Sequence, residues 1–214
     1  RQSSRERVDL REIDPQNRLL ARQTARRLDA EFIRDHALSV AGLLHREIGG
    51  PSALPYQPAG YYEQLNFPLR DYVADRDERQ YRRGLYQHWQ RTFLHPMLAN
   101  FDAPSREECT AARTHSTTPQ QALTLLNDPS YVEAARVFAE SLLHSLPGQR
   151  LHLAFLRTLG RPPESREQVS LEQFYQQQLS VFRERPLDAA AFTSIGLSPV
   201  PVGVDRVELA AWTA

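Results

Sequence analysis

The chain of 214 residues contains no lysine: all 26 of its basic residues are arginine. Its cations are planar bidentate forks, so carboxylates should be met in oriented pairs and not by diffuse point charges. Cysteine occurs once, as Cys109, which excludes a disulfide within the chain and any cysteine-built metal centre. Net charge is missing too, because 26 acids balance the 26 bases. That balance argues against a nucleic-acid or anionic-membrane footprint. No apolar run approaches the roughly 18 residues of a membrane span. The opening, RQSSRERVDLRE, has no signal-peptide character. Seven histidines are present, but none stands in H-x-x-x-H or H-E-x-x-H spacing, which would set two ligands on one helix face. His95 precedes Pro96-Met97, yet ligands two residues apart do not straddle one haem. The chain lacks an initiating methionine and ends in ELAAWTA, which reads as mid-helix, so a piece of a longer polypeptide is expected.

What is present is ordinary globular composition, 41% hydrophobic and 24% charged, in a length that supports a single buried core. Asp14-Pro15 carries a helix-start signature, and apolar residues at helical spacing run to Ile48 before Gly49-Gly50-Pro51. This predicts a long N-terminal helix pair. Residues 49–70 are punctuated by Pro51, Pro55, Pro58, Gly60 and Pro68 and read as a Pro-rich loop holding Tyr56, Tyr61 and Tyr62. Tyr72-Val73-Ala74 and Gly84-Leu85-Tyr86 flank a charged turn and suggest a small β-hairpin or extended segment; Leu85, Trp89 and Phe93 equally fit a helix. Thr118-Pro119 with Gln121, Asp128-Pro129, Ser165 with Gln168, and Asp205 with Glu208 are further helix starts. Residues 187–203 read as loop with a short turn near Ala190. The expected fold is mainly α: a single multi-helix domain over 1–214, the N-terminal pair packed on the helices of 119–182.

Chemistry concentrates in Phe101 to Pro129, FDAPSREECTAARTHSTTPQQALTLLNDP. Asp102, Arg106 and Arg113 can bind an anion or sulfated sugar beside the free N–H groups of the helix opening at Thr118. They can equally form an arginine–carboxylate network that staples the loop to the helices. Cys109 is a candidate thiolate nucleophile or haem-iron ligand activated by Arg106, Arg113 or His115, or a small buried thiol beside structural arginines. Arg82, Arg83 and Tyr86 form a second candidate binding group, with Trp89 and Arg91 nearby, where stacked guanidinium packing competes with ligand contact. No catalytic constellation emerges, which favours a non-catalytic role.

Six runs carry a resemblance: RQSS, DPQNRLLARQTARRLDAEFIRD, GGPSALPYQPAGYYE, YRRGLYQHWQRT, FDAPSREECTAARTHSTTPQQALTLLNDPSYVEAARV and LGRPPESRE, with ELAAWT at the end. Together they resemble the planctomycete surface-protein domain of unknown function, number fifteen fifty-three, that sits C-terminal in cytochrome c-associated proteins. The resemblance implies an exported, periplasmic or cell-surface multi-domain protein. It also implies partners among other domains of the same polypeptide, and possible contact with polysaccharide. No haem-attachment C-x-x-C-H occurs here, so the segment itself carries no cofactor and any haem belongs to neighbouring domains. The alternative the resemblance leaves open is an enzyme domain acting on sulfated or acidic polysaccharides, coupled to a linked haem domain. It transfers no catalytic residue.

Overall fold

The computed structural model describes residues 4, 8–24, 26–58, 60–61, 71–90 and 94–214. Tyr62, Pro68, Arg91 and Phe93 lie outside the described residues. Within them the fold is mainly helical, as the residue pattern indicates. Eight α-helices are present among the described residues: α1 (Ala30–Ala41), α2 (Pro96–Ala99), α3 (Pro119–Asn127), α4 (Pro129–Leu143), α5 (Arg150–Leu159), α6 (Ser165–Glu184), α7 (Pro186–Phe192) and α8 (Arg206–Thr213).

α4 is the central element, packed by α1 on one side and α8 on another, with α3 at its start and α5 at its end. It begins where Asp128 accepts the Ser130 N–H at 2.9 Å and Pro129 occupies the first turn. One apolar cluster joins Ala30, Met97, Leu98, Phe101 and Tyr131, and a second joins Leu38, Ala41 and Ala134. Both lie between α1 and α4, so burial of apolar area holds that pair together.

The expected N-terminal helix pair is a single helix. Asp14 is buried, but its carboxylate accepts the N–H groups of Arg18 and Leu19, both at 2.7 Å. Asn17 bonds the Arg22 carbonyl at 2.7 Å and the Arg22 N–H at 3.1 Å, and Asn17 and Leu20 take positive φ. Short polar side chains that bond nearby backbone compete with the helix, and here they win. α1 then stops at Gly42, whose φ of 80° suits glycine, with Leu43 N–H reaching Leu38 O at 2.9 Å.

The β-hairpin is also corrected. Residues 78–86 form two 3-10 turns, Glu78–Tyr81 and Gly84–Tyr86, and the extended pieces meet only through isolated parallel bridges, His45 to Arg82 and Ala53 to Gln87. The 187–203 loop holds α7, which Pro186 opens. The α6 capping box sits one residue earlier than its sequence signal: Glu164 N–H meets Glu167 at 2.8 Å. Asp205 caps α8 through the Val207 N–H at 2.8 Å, while Glu208 turns away to Arg150.

Candidate functional site

The 102–118 cluster divides between two anchors: Asp102 ties to Ser116, while Arg106 and Arg113 both lie against Glu31. Asp102 takes a positive φ, and its carboxylate accepts the Ser116 N–H at 2.7 Å and the Ser116 hydroxyl at 2.8 Å. Those two bonds hold its carboxyl below the usual carboxylate range. Arg113 instead forks onto Glu31 at the start of α1, at 2.6 and 3.2 Å. Burial pushes the Glu31 carboxyl up, but the Arg113 bonds, a backbone N–H bond and the charges of Arg113 and Arg106 together outweigh it, and the net shift is downward. Arg106 lies 3.8 Å above the Trp89 ring and 4.0 Å from Glu31. Trp89 donates to the Ser105 carbonyl at 3.0 Å. Thr118 stands at the N-cap of α3, its N–H on the Gln121 side chain at 3.4 Å. Arg27 adds a tie from the segment before α1, donating to Thr117 at 2.9 Å. Cys109 is a free, exposed thiol with no part in these contacts.

The second candidate group is likewise turned inward. Arg82 is buried, stacks 4.1 Å from the Tyr86 ring, and donates to the Pro51 and Gly49 carbonyls. Tyr86 accepts the Gly49 N–H at 3.0 Å. Together they pin the turn that leads into the Pro-rich loop. Arg83 reaches Asp35 at 3.4 Å. The same carboxylate receives the Gly84 N–H. A side chain on Gly84 would run into the Glu31 backbone at 2.8 Å, so this approach to α1 needs glycine.

The densest polar centre is one the sequence reading missed. Glu133 of α4 is 1% exposed. Its carboxylate accepts from the Tyr81 hydroxyl at 2.7 Å, the Tyr56 hydroxyl at 3.0 Å, the Leu197 N–H at 2.7 Å and the Ser198 N–H at 2.6 Å. Burial, and then the charge of Glu133 and the hydrogen bonds to it, push both tyrosine hydroxyls up, so they remain donors. One helical turn on, Arg136 is fully buried and donates to Ser198 O at 2.7 Å and Pro199 O at 3.3 Å. Gly196 lets the 194–200 loop close on the carboxylate. Its φ is +98°, and a Cβ there would collide with the Glu133 side chain. Arg34 of α1 is also fully buried, donating to the Arg82 carbonyl at 2.5 Å and to the Gln80 carbonyl. His95 donates through Nε2 to Tyr56 O at 2.7 Å and accepts the Met97 N–H through Nδ1 at 3.3 Å, which fixes a neutral ring. Burial holds its pKa down to about 4. Arg34 and Arg136 gave one legible signal: each stands four residues from core positions of its own helix, where a purely apolar stripe would continue.

Four donors fill the Glu133 carboxylate, and the two buried guanidiniums bond backbone carbonyls, while Nε of Arg34 and of Arg136 has no partner among the described residues. Among the described residues no group of three or more histidines, cysteines or acids could hold a metal ion. None of their helices is long and apolar enough to cross a membrane.

The open surface lies at the other end of α4. A groove of about 1080 Å³ runs between α5 and α6, floored by Phe138 and Leu142 of α4 and by Trp212 of α8. Its walls leave Leu156, Leu171 and Phe174 40–42% exposed. Arg150, which spans toward α8, is paired with Glu208 at 2.6 Å. Trp212 is half-buried, its ring 5.0 Å from Tyr175.

The family model described as PSD1, protein of unknown function (DUF1553), matches residues 1–175. The chain belongs to that family. The match takes in the 102–118 cluster, Glu133 with Tyr56 and Tyr81, and α5; it ends inside α6, before the 194–200 loop that closes on Glu133. No curated protein and no solved structure matches the chain.

Proposed function

We propose that this domain is a non-catalytic binding and assembly module of an exported surface protein of the cytochrome c-associated type. The observation that carries this reading is how the polar and apolar groups are distributed. The acids and arginines that could serve chemistry are engaged with backbone, with a serine or tyrosine, or with one another, while apolar walls face solvent in a groove between two helices. Groups held in closed pairs stiffen a scaffold; a contiguous apolar recess is what protein partners bury. The partners are protein: other domains of the same polypeptide or copies of it. Any haem belongs to neighbouring domains, and the location is periplasmic or at the cell surface.

An enzyme acting on sulfated or acidic polysaccharide would need Asp102, Arg106, Cys109 and Arg113 to converge on an open cleft. The bonds of Asp102 to Ser116 and of Arg113 to Glu31 speak against that use.

The test is incubation of the purified chain with sulfated and acidic polysaccharides, alongside cross-linking of the full-length exported protein bearing Phe174→Glu. The proposal expects no product from the first and loss of an inter-domain or inter-subunit cross-link in the second. Turnover of a polysaccharide by the chain alone overturns it.

A further inference from the structure

α3 is folded inside out. It buries its polar residues Gln121 and Thr124 against the rest of the molecule and points Leu123, Leu125 and Leu126 outward, 58%, 44% and 60% exposed. Gln121 and Thr124 face inward because they have bonds to make. Gln121 reaches Ser116, and Thr124 accepts from Asn100 at 2.7 Å. Rotating the helix to bury the leucines would break those bonds and orphan polar groups. The result is an apolar helical ridge with nothing covering it among the described residues.

The molecule therefore carries both a ridge and a groove. α3 adjoins the N-terminal end of α4, and the groove is floored by the last turns of α4, about 20 Å further along. One molecule cannot seat its own ridge in its own groove. Resting on the assembly reading above, we propose that the groove between α5 and α6 receives α3 of a second copy of this chain, in a head-to-tail contact.

Size and charge both fit. α3 has nine residues and α5, the shorter wall, has ten, so ridge and wall are each about 14–15 Å long. The groove, at about 1080 Å³, reaches the upper end of small-molecule sites and suits a helix face laid between two helices. From Pro119 to Asn127 α3 has no charged residue. In the groove Arg150 is already paired to Glu208, and the other charged groups lining it, Glu172 and His152, are exposed. The ridge therefore brings no charge of its own to be stripped of water, where a charged ridge would incur a large desolvation cost. Uncovered leucines on both surfaces supply the apolar burial. A head-to-tail contact uses two different surfaces, so it propagates into a ring or a filament and does not stop at a symmetric pair.

Sedimentation equilibrium of the chain and two variants decides it. Leu126→Glu spoils the ridge and keeps the groove; Phe174→Glu spoils the groove and keeps the ridge. Wild type should associate beyond a dimer as concentration rises, and each variant alone should associate about tenfold or more weakly. Mixed, the two variants should form a 1:1 dimer that goes no further, since one good ridge meets one good groove. Circular dichroism confirms that each is folded, and Leu126→Gln with Phe174→Gln repeats the design with a gentler change. Wild type that stays monomeric, or a mixture that fails to pair, overturns the second-copy contact. If the full-length protein still loses its cross-link with Phe174→Glu in that case, the assembly reading stands with a different protein partner. If the cross-link is unaffected as well, both fail.

Discussion

The region around the first half of α4 and the region around its C-terminal end solve opposite problems. Near Glu133 the protein buries charge: a carboxylate, two guanidiniums and a neutral imidazole lie in the interior, each bonded to backbone or to a tyrosine. Near Phe138 and Leu142 it exposes hydrocarbon, and a 20-residue helix, α6, buries only Leu179. A buried ionic centre of that kind contributes little net stability compared with a well-packed apolar core, yet losing one member leaves its partners stranded. An exposed apolar wall contributes still less to the isolated chain and becomes useful when something lies on it. The contrast teaches that charge in this domain fixes the relation of loops to helices, and that apolar surface is kept for contact.

The largest effect is expected at the buried centre. Glu133→Ala strands two tyrosine hydroxyls and two backbone N–H groups and frees the 194–200 loop. It should cost about 3–5 kcal/mol in urea denaturation; a loss under about 1 kcal/mol would erase the contrast. His95 is expected next. Its folded pKa, about 4, lies below the ordinary 6.5. The unfolded chain therefore binds more protons between those values, and stability rises with pH across the window. The contribution is fully present above about pH 6.5 and is lost as pH falls toward 4, on the order of 3 kcal/mol in all. His95→Gln should flatten the slope of stability against pH in that range; an unchanged slope would show that the ring titrates normally. Arg113→Ala should matter least. A third of that side chain is exposed, so its fork onto Glu31 should contribute about 1 kcal/mol or less, weakening further in salt.

Much of the helical half was legible. Thr118-Pro119 and Asp128-Pro129 announce α3 and α4 because proline at the first turn and an acceptor before it solve a local problem of unpaired N–H groups. The N-terminal segment misled for the same reason: Asp14-Pro15 carries that signature, but Asp14 and Asn17 bond backbone in a non-helical loop. α3 was placed correctly, but which face it buries was not legible, since periodicity finds an apolar stripe without saying whether its own molecule covers it. The candidate arginines were legible as a group, their partners were not. Glu31, which takes Arg113, lies 82 positions away in sequence. Glu133 was invisible because its donors come from the Pro-rich loop, a 3-10 turn and the 196–198 backbone, brought together only by tertiary packing.

The comparison is tested most directly by measuring the unfolding free energy of Glu133→Ala and Phe174→Ser side by side, at a concentration low enough to keep the chain dissociated. The account predicts a loss of about 3–5 kcal/mol at Glu133 and about 1 kcal/mol or less at Phe174. Equal losses at the two positions would contradict it, because the groove would then be part of the core and not a surface held open for a partner.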